Sequence, residues 1–276
     1  PITNPSGTFT ITNTLPDQTV TINAGTGISV ASVYPTFTVT NTSPSTLAWS
    51  LLGNAGTVDG TNFIGTTDNI PFNIRVNNQK AGRIDNTLAN TFFGYQAGNA
   101  NTTGFSNTAT GYRALYSNTT GSWNTASGNS VLYSNTTGIQ NTASGNSALY
   151  YNTTGTFNTG IGVAALQSNT TGGYNTASGV NALFANIAGN NGVAIGYSSQ
   201  YYANNQAGAW DNTNTSVGYE SLRGSTTAAD NTGVGNTAIG RNALFNNTSG
   251  NRNTALGFVA GDAITTGSDN TAIGYN

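Results

Sequence analysis

Two adjacent stretches decide the fold: Asn107-Thr-Ala-Thr-Gly-Tyr-Arg-Ala-Leu-Tyr-Ser-Asn-Thr-Thr-Gly-Ser-Trp123 and Asn124-Thr-Ala-Ser-Gly-Asn-Ser-Val-Leu-Tyr-Ser-Asn-Thr-Thr-Gly-Ile-Gln140. They are copies of one 17-residue unit, N-T-A-x-G-x-x-A-L-x-x-N-T-T-G-x-x. Working outward, the Asn-Thr-Ala-x-Gly block ends at Gly94, Gly111, Gly128, Gly145, Gly162, Gly179 and Gly196, always 17 apart. It returns at Gly240, Gly257 and Gly274 with the same step. Between the two runs the steps widen to 22, from Gly196 to Gly218 and from Gly218 to Gly240, and a further copy, Asn231-Thr-Gly-Val-Gly235, sits in the second of them. About eleven units fill residues 86–276.

Stacking the copies gives columns. Leu115, Leu132, Leu149, Leu166, Leu183, Leu222 and Leu244 form one. Small residues such as Ala114, Val131 and Ala148 precede it. Aromatics follow it: Tyr116, Tyr133, Tyr150, Phe184, Tyr201 and Phe245. An Asn column comes next, at Asn118, Asn135, Asn152, Asn169, Asn186 and Asn247. A short fixed period with Gly at set places is the signature of stacked β coils. Helical repeats need about 33 residues or more per unit, and Gly and Thr are poor helix formers. The expected fold is all-β, a parallel β-roll or β-solenoid with about 17 residues and two short strands per coil. At about 4.8 Å per coil, eleven coils make a rod of roughly 50 Å.

The Gly columns predict left-handed or crowded backbone positions. The Asn columns predict ladders of side-chain amides bonded coil to coil or to turn backbone. The alternative reading is glycosylation, because Asn118-Thr-Thr120, Asn135-Thr-Thr137 and Asn152-Thr-Thr154 are acceptor sequons. Each coil offers its core one Leu, one small residue and one Val or Ile, such as Ile161 or Ile239. So thin a core predicts help from a second copy, with the Tyr and Phe column as the seam.

Residues 1–50 read as a shaft of short strands. Phe9-Thr-Ile-Thr-Asn-Thr-Leu-Pro16 and Phe37-Thr-Val-Thr-Asn-Thr-Ser-Pro44 are two copies of one alternating element. Thr19–Ile22 and Gly27–Val30 alternate as well. Residues 51–85 read as a small β connector, with strands at Phe63-Ile64 and Ile70–Ile74. Its charges (Arg75, Lys80, Arg83, Asp59, Asp68 and Asp85) read as a solvated face or inter-chain ion pairs. Residues 86–276 are the repeat, with wider coils over 197–240.

Composition sets the functional limits. Among 276 residues there are 42 Asn, 47 Thr and 36 Gly, and no His, Cys or Met. That removes imidazole bases, thiol nucleophiles, disulfides and the usual zinc or haem ligands, and no cofactor is expected. Seven Lys and Arg with a net charge of −2 make no cationic footprint for nucleic acid. No apolar run approaches the roughly 20 residues of a membrane helix. The aspartate-bearing nonapeptide repeat of calcium rolls is absent. At 36% hydrophobic and 10% aromatic, the chain still has material for a core. It starts at Pro1 with no visible signal peptide, as a processed chain or a fragment would.

Trp49-Ser-Leu-Leu-Gly-Asn-Ala-Gly56, Asn62-Phe-Ile-Gly-Thr-Thr-Asp-Asn69 and Asn77-Asn-Gln-Lys-Ala-Gly-Arg83 resemble bacterial and phage tail-fibre-domain proteins. Those typically end in an endosialidase-type intramolecular chaperone, which can cleave itself off after trimerisation. The repeat is similar to the coils of trimeric autotransporter adhesin heads, a parallel β-roll whose coils are usually shorter; Gly192-Val-Ala-Ile-Gly196 is the nearest copy. The resemblance spans most of residues 49–276 and implies an extracellular homotrimeric fibre of a virion tail or bacterial surface, used for attachment.

The expected function is therefore a non-catalytic adhesive fibre whose partners are its own copies, possible end-to-end neighbours, and a cell-surface glycan or receptor. Tyr201, Tyr202 and Trp210, in the first wide step, are the candidate receptor contacts. Two other classes compete. A single-chain solenoid could bind a regular surface such as ice through a Thr ladder at Thr119, Thr136, Thr153 and Thr170. A tail-spike glycan hydrolase would need two carboxylates roughly 5–10 Å apart, with Asp211 and Asp230 or Asp262 and Asp269 as the candidate pairs.

Overall fold

The computed structural model describes the strands Thr8–Thr12, Ile28–Val33 and Thr36–Asn41, and then residues 63–203 and 208–275. The chain divides into two units, residues 1–65 and 66–276. In the first, β1 (Thr8–Thr12), β2 (Ile28–Val33) and β3 (Thr36–Asn41) form an antiparallel sheet in the order β1-β3-β2. The two copies of the shaft element pair with each other, Phe9 opposite Val39 and Ile11 opposite Phe37. The expected strand at Thr19–Ile22 and the stretch Trp49–Gly56 lie outside the described residues.

The second unit is a parallel β-solenoid of eleven coils on one 13-stranded sheet. It opens with an antiparallel hairpin, β4 (Phe72–Val76) and β5 (Gln79–Asp85), onto which β6 (Asn90–Phe93) adds antiparallel. Phe63-Ile64, expected as a strand, forms none. From β6 onward every pairing is parallel and in register. The strands are β7 (Thr108–Thr110), β8 (Thr125–Ser127), β9 (Thr142–Ser144), β10 (Thr159–Ile161) and β11 (Thr176–Ser178). Next come the short β12 (Gly189–Asn190), β13 (Val193–Ile195), the short β14 (Trp210–Asp211) and β15 (Thr215–Val217). The last are β16 (Thr237–Ile239), β17 (Thr254–Leu256) and β18 (Thr271–Ile273). Coil 1 carries β6, coils 2–6 carry β7–β11, coil 7 carries β13 and coils 8–11 carry β15–β18. The one described helix is a single 3-10 turn at Ala228–Asp230, and no helix is long and apolar enough to cross a membrane.

Each regular coil has one three-residue strand rather than the expected two. The reason lies in the G-x-x-A-L arc. Arg113 and Leu115 both take left-handed φ, 53° and 51°, and Leu132, Leu149, Leu166 and Leu183 repeat the conformation. Such residues cost about 1–2 kcal/mol each and cannot extend a strand. The arc still bonds to its neighbours: Arg113 N–H donates to Tyr95 O in the coil before, and Leu115 N–H donates to Val131 O in the coil after. The Gly expectation holds. Gly145 has φ +125°, and a Cβ on it would stand 2.5 Å from Gly162 O in the next coil.

The core is a column of Leu facing a column of Ala. Leu115, Leu132, Leu149, Leu166 and Leu183 are fully buried, with Ala109, Ala126, Ala143 and Ala177 across from them. In a Thr-Ala-x strand the period of two turns Ala inward and both neighbours outward. Ile161 and Ile239 were expected in the core; they occupy the third position and are 46% and 40% exposed.

Candidate functional site

The coils are held by two internal Asn ladders. In the first, Asn118 Nδ2 donates to Asn101 Oδ1 at 2.8 Å and to Gly121 O at 2.9 Å in its own coil. Asn135, Asn152 and Asn169 repeat both bonds. These side chains are fully buried and each nitrogen is engaged twice, so the sequons at Asn118, Asn135 and Asn152 offer nothing to a sugar. In the second ladder, Asn124 takes its own N–H and Nδ2 to Asn107 Oδ1 and gives Nδ2 also to Gly138 O. Asn141, Asn158 and Asn175 continue it.

The Thr column proposed for surface binding is occupied too. Thr119 Oγ1 donates to Thr136 O at 3.0 Å and Thr136 Oγ1 to Thr153 O at 3.1 Å, with Thr153 and Thr170 following suit. These hydroxyls are half-buried inter-coil bonds and form no free face.

The Leu column and both ladders are interrupted at coil 7, and the small inward residues turn polar in coils 7 and 8. Gln200 stands where Leu is expected, Ser199 and Ser221 where Ala or Val is, and Ser216 where the inward Ala is; all four are buried. They satisfy one another. Ser199 Oγ lies 2.5 Å from Ser216 Oγ and 2.9 Å from Ser221 Oγ. Gln200 Nε2 donates to Val193 O at 2.8 Å and to Ser216 Oγ at 3.0 Å. Gly192 leaves the second ladder without an amide, and Asn212 from the widened segment fills the space. Asn212 Nδ2 donates to Gln200 Oε1, and Asn214 Nδ2 donates to Asn212 Oδ1. The first ladder has no such repair. Ala203 takes the place of Asn, and Asn186 Oδ1 has no partner among the described residues. The hydrocarbon core is accordingly two clusters, one ending at Ala203 and one starting at Leu222.

The structure sets Tyr201 against Tyr202, and Tyr202 shares a cavity with Trp210 that Tyr201 does not line. Tyr202 and Trp210 line one open cavity with Gln200, Arg223, Asn231 and Asn247, about 280 Å³ including its mouth. Its enclosed part holds about one water-sized group, and Trp210 Nε1 has no hydrogen-bond partner among the described residues. The ring faces are largely taken. Tyr201 stacks on Phe184 at 4.9 Å and meets Tyr202 edge-on at 4.6 Å. Arg223 lies 4.8 Å over Tyr202 and 5.3 Å from Phe245, and pairs with Glu220 at 3.3 Å. Trp210 lies against Gly189, where a Cβ would meet the indole at 2.9 Å. Burial, with the neighbouring Tyr202, raises the Tyr201 hydroxyl pKa. Stacked sugar rings therefore find no bare aromatic face on Tyr201.

Charge is sorted to the two ends of the solenoid. No charged residue lies between Arg113 and Asp211. At the first end, Arg83 pairs with the buried Asp85 at 2.7 Å. Burial alone would raise the Asp85 pKa, but Arg83 and the backbone N–H groups of Leu88 and Thr87 overcome it and hold the carboxyl below its ordinary value. Lys80 donates to Asn99 O; burial, then Arg83 and Arg75, lower its pKa. At the other end, Asp269 is held by Arg252 at 2.7 and 2.8 Å, and Asp211 accepts from Asn191 Nδ2. Among the described residues no group of His, Cys, Asp and Glu could hold a metal ion.

The outer face of the sheet has two characters. Its third strand positions are Thr110, Ser127 and Ser144 in coils 2–4, then Ile161, Ser178, Ile195, Val217, Ile239, Leu256 and Ile273. The next outward column is Tyr112, Asn129 and Asn146 in coils 2–4, then Val163, Val180, Tyr197, Tyr219, Arg241 and Phe258, with the Arg241 guanidinium lying over the Tyr219 and Phe258 rings. Sequence reading put the sticky surface on the Tyr116 column instead. Those rings are half-buried and stack on each other, Tyr116 on Tyr133 and Tyr133 on Tyr150, both at 5.0 Å. The Ile and Val residues were counted as core, and the strand period was the signal that would have placed them outside. Comparison with protein-family models, with curated proteins and with solved structures finds no match to this chain.

Proposed function

We propose that the chain is a non-catalytic structural fibre protein that works as an assembly of its own copies, a homotrimer, outside the cell on a phage tail or bacterial surface. The observation that carries this reading is the mostly apolar stripe on the sheet face of coils 5–10, interrupted by Ser178 and by Arg241, whose guanidinium lies over Tyr219 and Phe258. Ile161, Val163, Val180, Ile195, Tyr197, Tyr219, Ile239, Leu256 and Phe258 are each 39–48% exposed there. Together they present on the order of 700 Å² of side chain, close to the roughly 800 Å² per partner of a standard interface. Monomeric proteins rarely leave so large an ordered apolar patch in water. The trimer number follows the resemblance to adhesin heads and tail fibres, as do end-to-end filaments and contact with surface glycans. The non-catalytic reading rests on the absence of His and Cys and on carboxylates that are single or held by Arg.

Sedimentation of the wild type beside an Ile195→Ser/Ile239→Ser variant tests it. Both side chains are exposed, so the variant folds; it is expected to sediment as single chains while the wild type does not. A variant that sediments like the wild type would remove the stripe as the seam.

A further inference from the structure

Beyond the stripe, the same sheet face carries a second ordered array. The first strand position is Thr in ten of the eleven coils, in register from Thr91 through Thr108, Thr125, Thr142, Thr159 and Thr176, and again from Thr215 to Thr271; Val193 is the exception. In coils 2–4 the third position adds Thr110, Ser127 and Ser144, and all six side chains point outward and are exposed. Their hydroxyls make no hydrogen bond among the described residues, unlike Thr119 and Thr136 on the next arc, which are bonded to the neighbouring coil.

The geometry points to ice as the partner of this face: we propose that Thr108/Thr110, Thr125/Ser127 and Thr142/Ser144 bind an ice surface. Three properties support a water lattice. The hydroxyls repeat at about 4.8 Å along the axis and about 6.7 Å across it, set by strand pairing and by two residues of strand rise; the axial step is close to a repeat of hexagonal ice. The face is rigid, because coils 2–6 are each tied to their neighbours by backbone bonds and two buried Asn ladders. Coils 3–6 are also neutral, since the chain from Ala114 to Trp210 has no charged residue to hold a disordered hydration shell, and Arg113 in coil 2 is engaged with Gln96 Oε1. Each Thr sets a methyl beside its hydroxyl, so apolar and hydrogen-bonding groups alternate at the lattice spacing.

The inference does not rest on self-association, and the test separates the two. Thermal hysteresis and partition into slowly growing ice are measured for the full chain and for Thr125→Lys, Thr142→Lys and the control Thr137→Lys, with the mass of each recorded in the same buffer. Thr137 is exposed but lies on another arc. The wild type and the control are expected to show hysteresis and enter the ice. The two sheet-face variants are expected to lose both while keeping the circular dichroism and mass of the wild type. A folded wild type that stays in the liquid overturns the proposal, as does activity undiminished in Thr142→Lys. Binding to crystalline cellulose or chitin without any effect on ice would also overturn it.

Discussion

Coils 2–6 and coils 7–8 solve the same stacking problem with different chemistry. In the first group the interior is Leu against Ala, closed on two sides by Asn ladders in which each rung is identical to the next. In the second it is Ser199, Gln200, Asn212, Ser216 and Ser221, a network in which each group has a different partner. Identical rungs stack strongly but carry no address, because a slip of one whole coil recreates almost every contact. The polar network is satisfied in a single alignment. The wide coils thus supply register to a solenoid whose regular coils supply cohesion.

The sharpest way to break the comparison is through glycine. Gly145→Ala forces a Cβ to within 2.5 Å of Gly162 O at φ +125° and is expected to cost more than about 4 kcal/mol, enough to disrupt the stack. In the widened segment, Gly208→Ala meets nothing within 4 Å and is expected to stay within about 0.5 kcal/mol of wild type. Urea denaturation followed by circular dichroism measures both; similar costs would erase the distinction.

Exchanging the core residues tests the chemistry itself. Leu149→Gln buries an amide among Leu and Ala and should cost about 2–5 kcal/mol. Gln200→Leu strips partners from Asn212, Ser216 and Val193 O and should cost about 1–3 kcal/mol. Thermal melts of the two variants compare them directly. A stabilised Gln200→Leu would mean that the network gives no cohesion at all.

The period, the Gly positions and the Leu and Asn columns were legible because each is a side-chain identity repeated in place. The left-handed backbone at Leu115 and its copies was not, since Leu has no preference for that region and only the neighbouring coils impose it. Nor could the sequence show that Asn212, arriving from an insertion, replaces the amide missing at Gly192. Ile161 and Ile239 misled for a simpler reason: apolar residues suggest a core, while their place in a three-residue strand sends them outward. Tyr201, Tyr202 and Trp210 are visible in the sequence as a local excess of aromatics, but the packing around their rings depends on Phe184, Arg223 and Gly189, which the sequence does not place.

Smaller effects sharpen the picture. Ala203→Asn restores the missing rung beside Asn186 Oδ1 and is expected to add about 1 kcal/mol, seen as a raised melting temperature. A lowered one would show that the gap serves some other purpose. At the first coil, the depressed Asp85 carboxyl contributes stability above the ordinary Asp pKa of about 4, and that contribution is lost as pH falls through its lower folded value. Melting temperature against pH should therefore drop on the acid side in the wild type and flatten in Asp85→Asn.

The central claim is that the thin coils work as an assembly, and the native mass of the wild-type protein tests it most directly. Light scattering on the purified chain is predicted to give three times the 28.2 kDa of one chain, or a multiple of that in filaments. A stable, folded species of 28.2 kDa at micromolar concentration would contradict it.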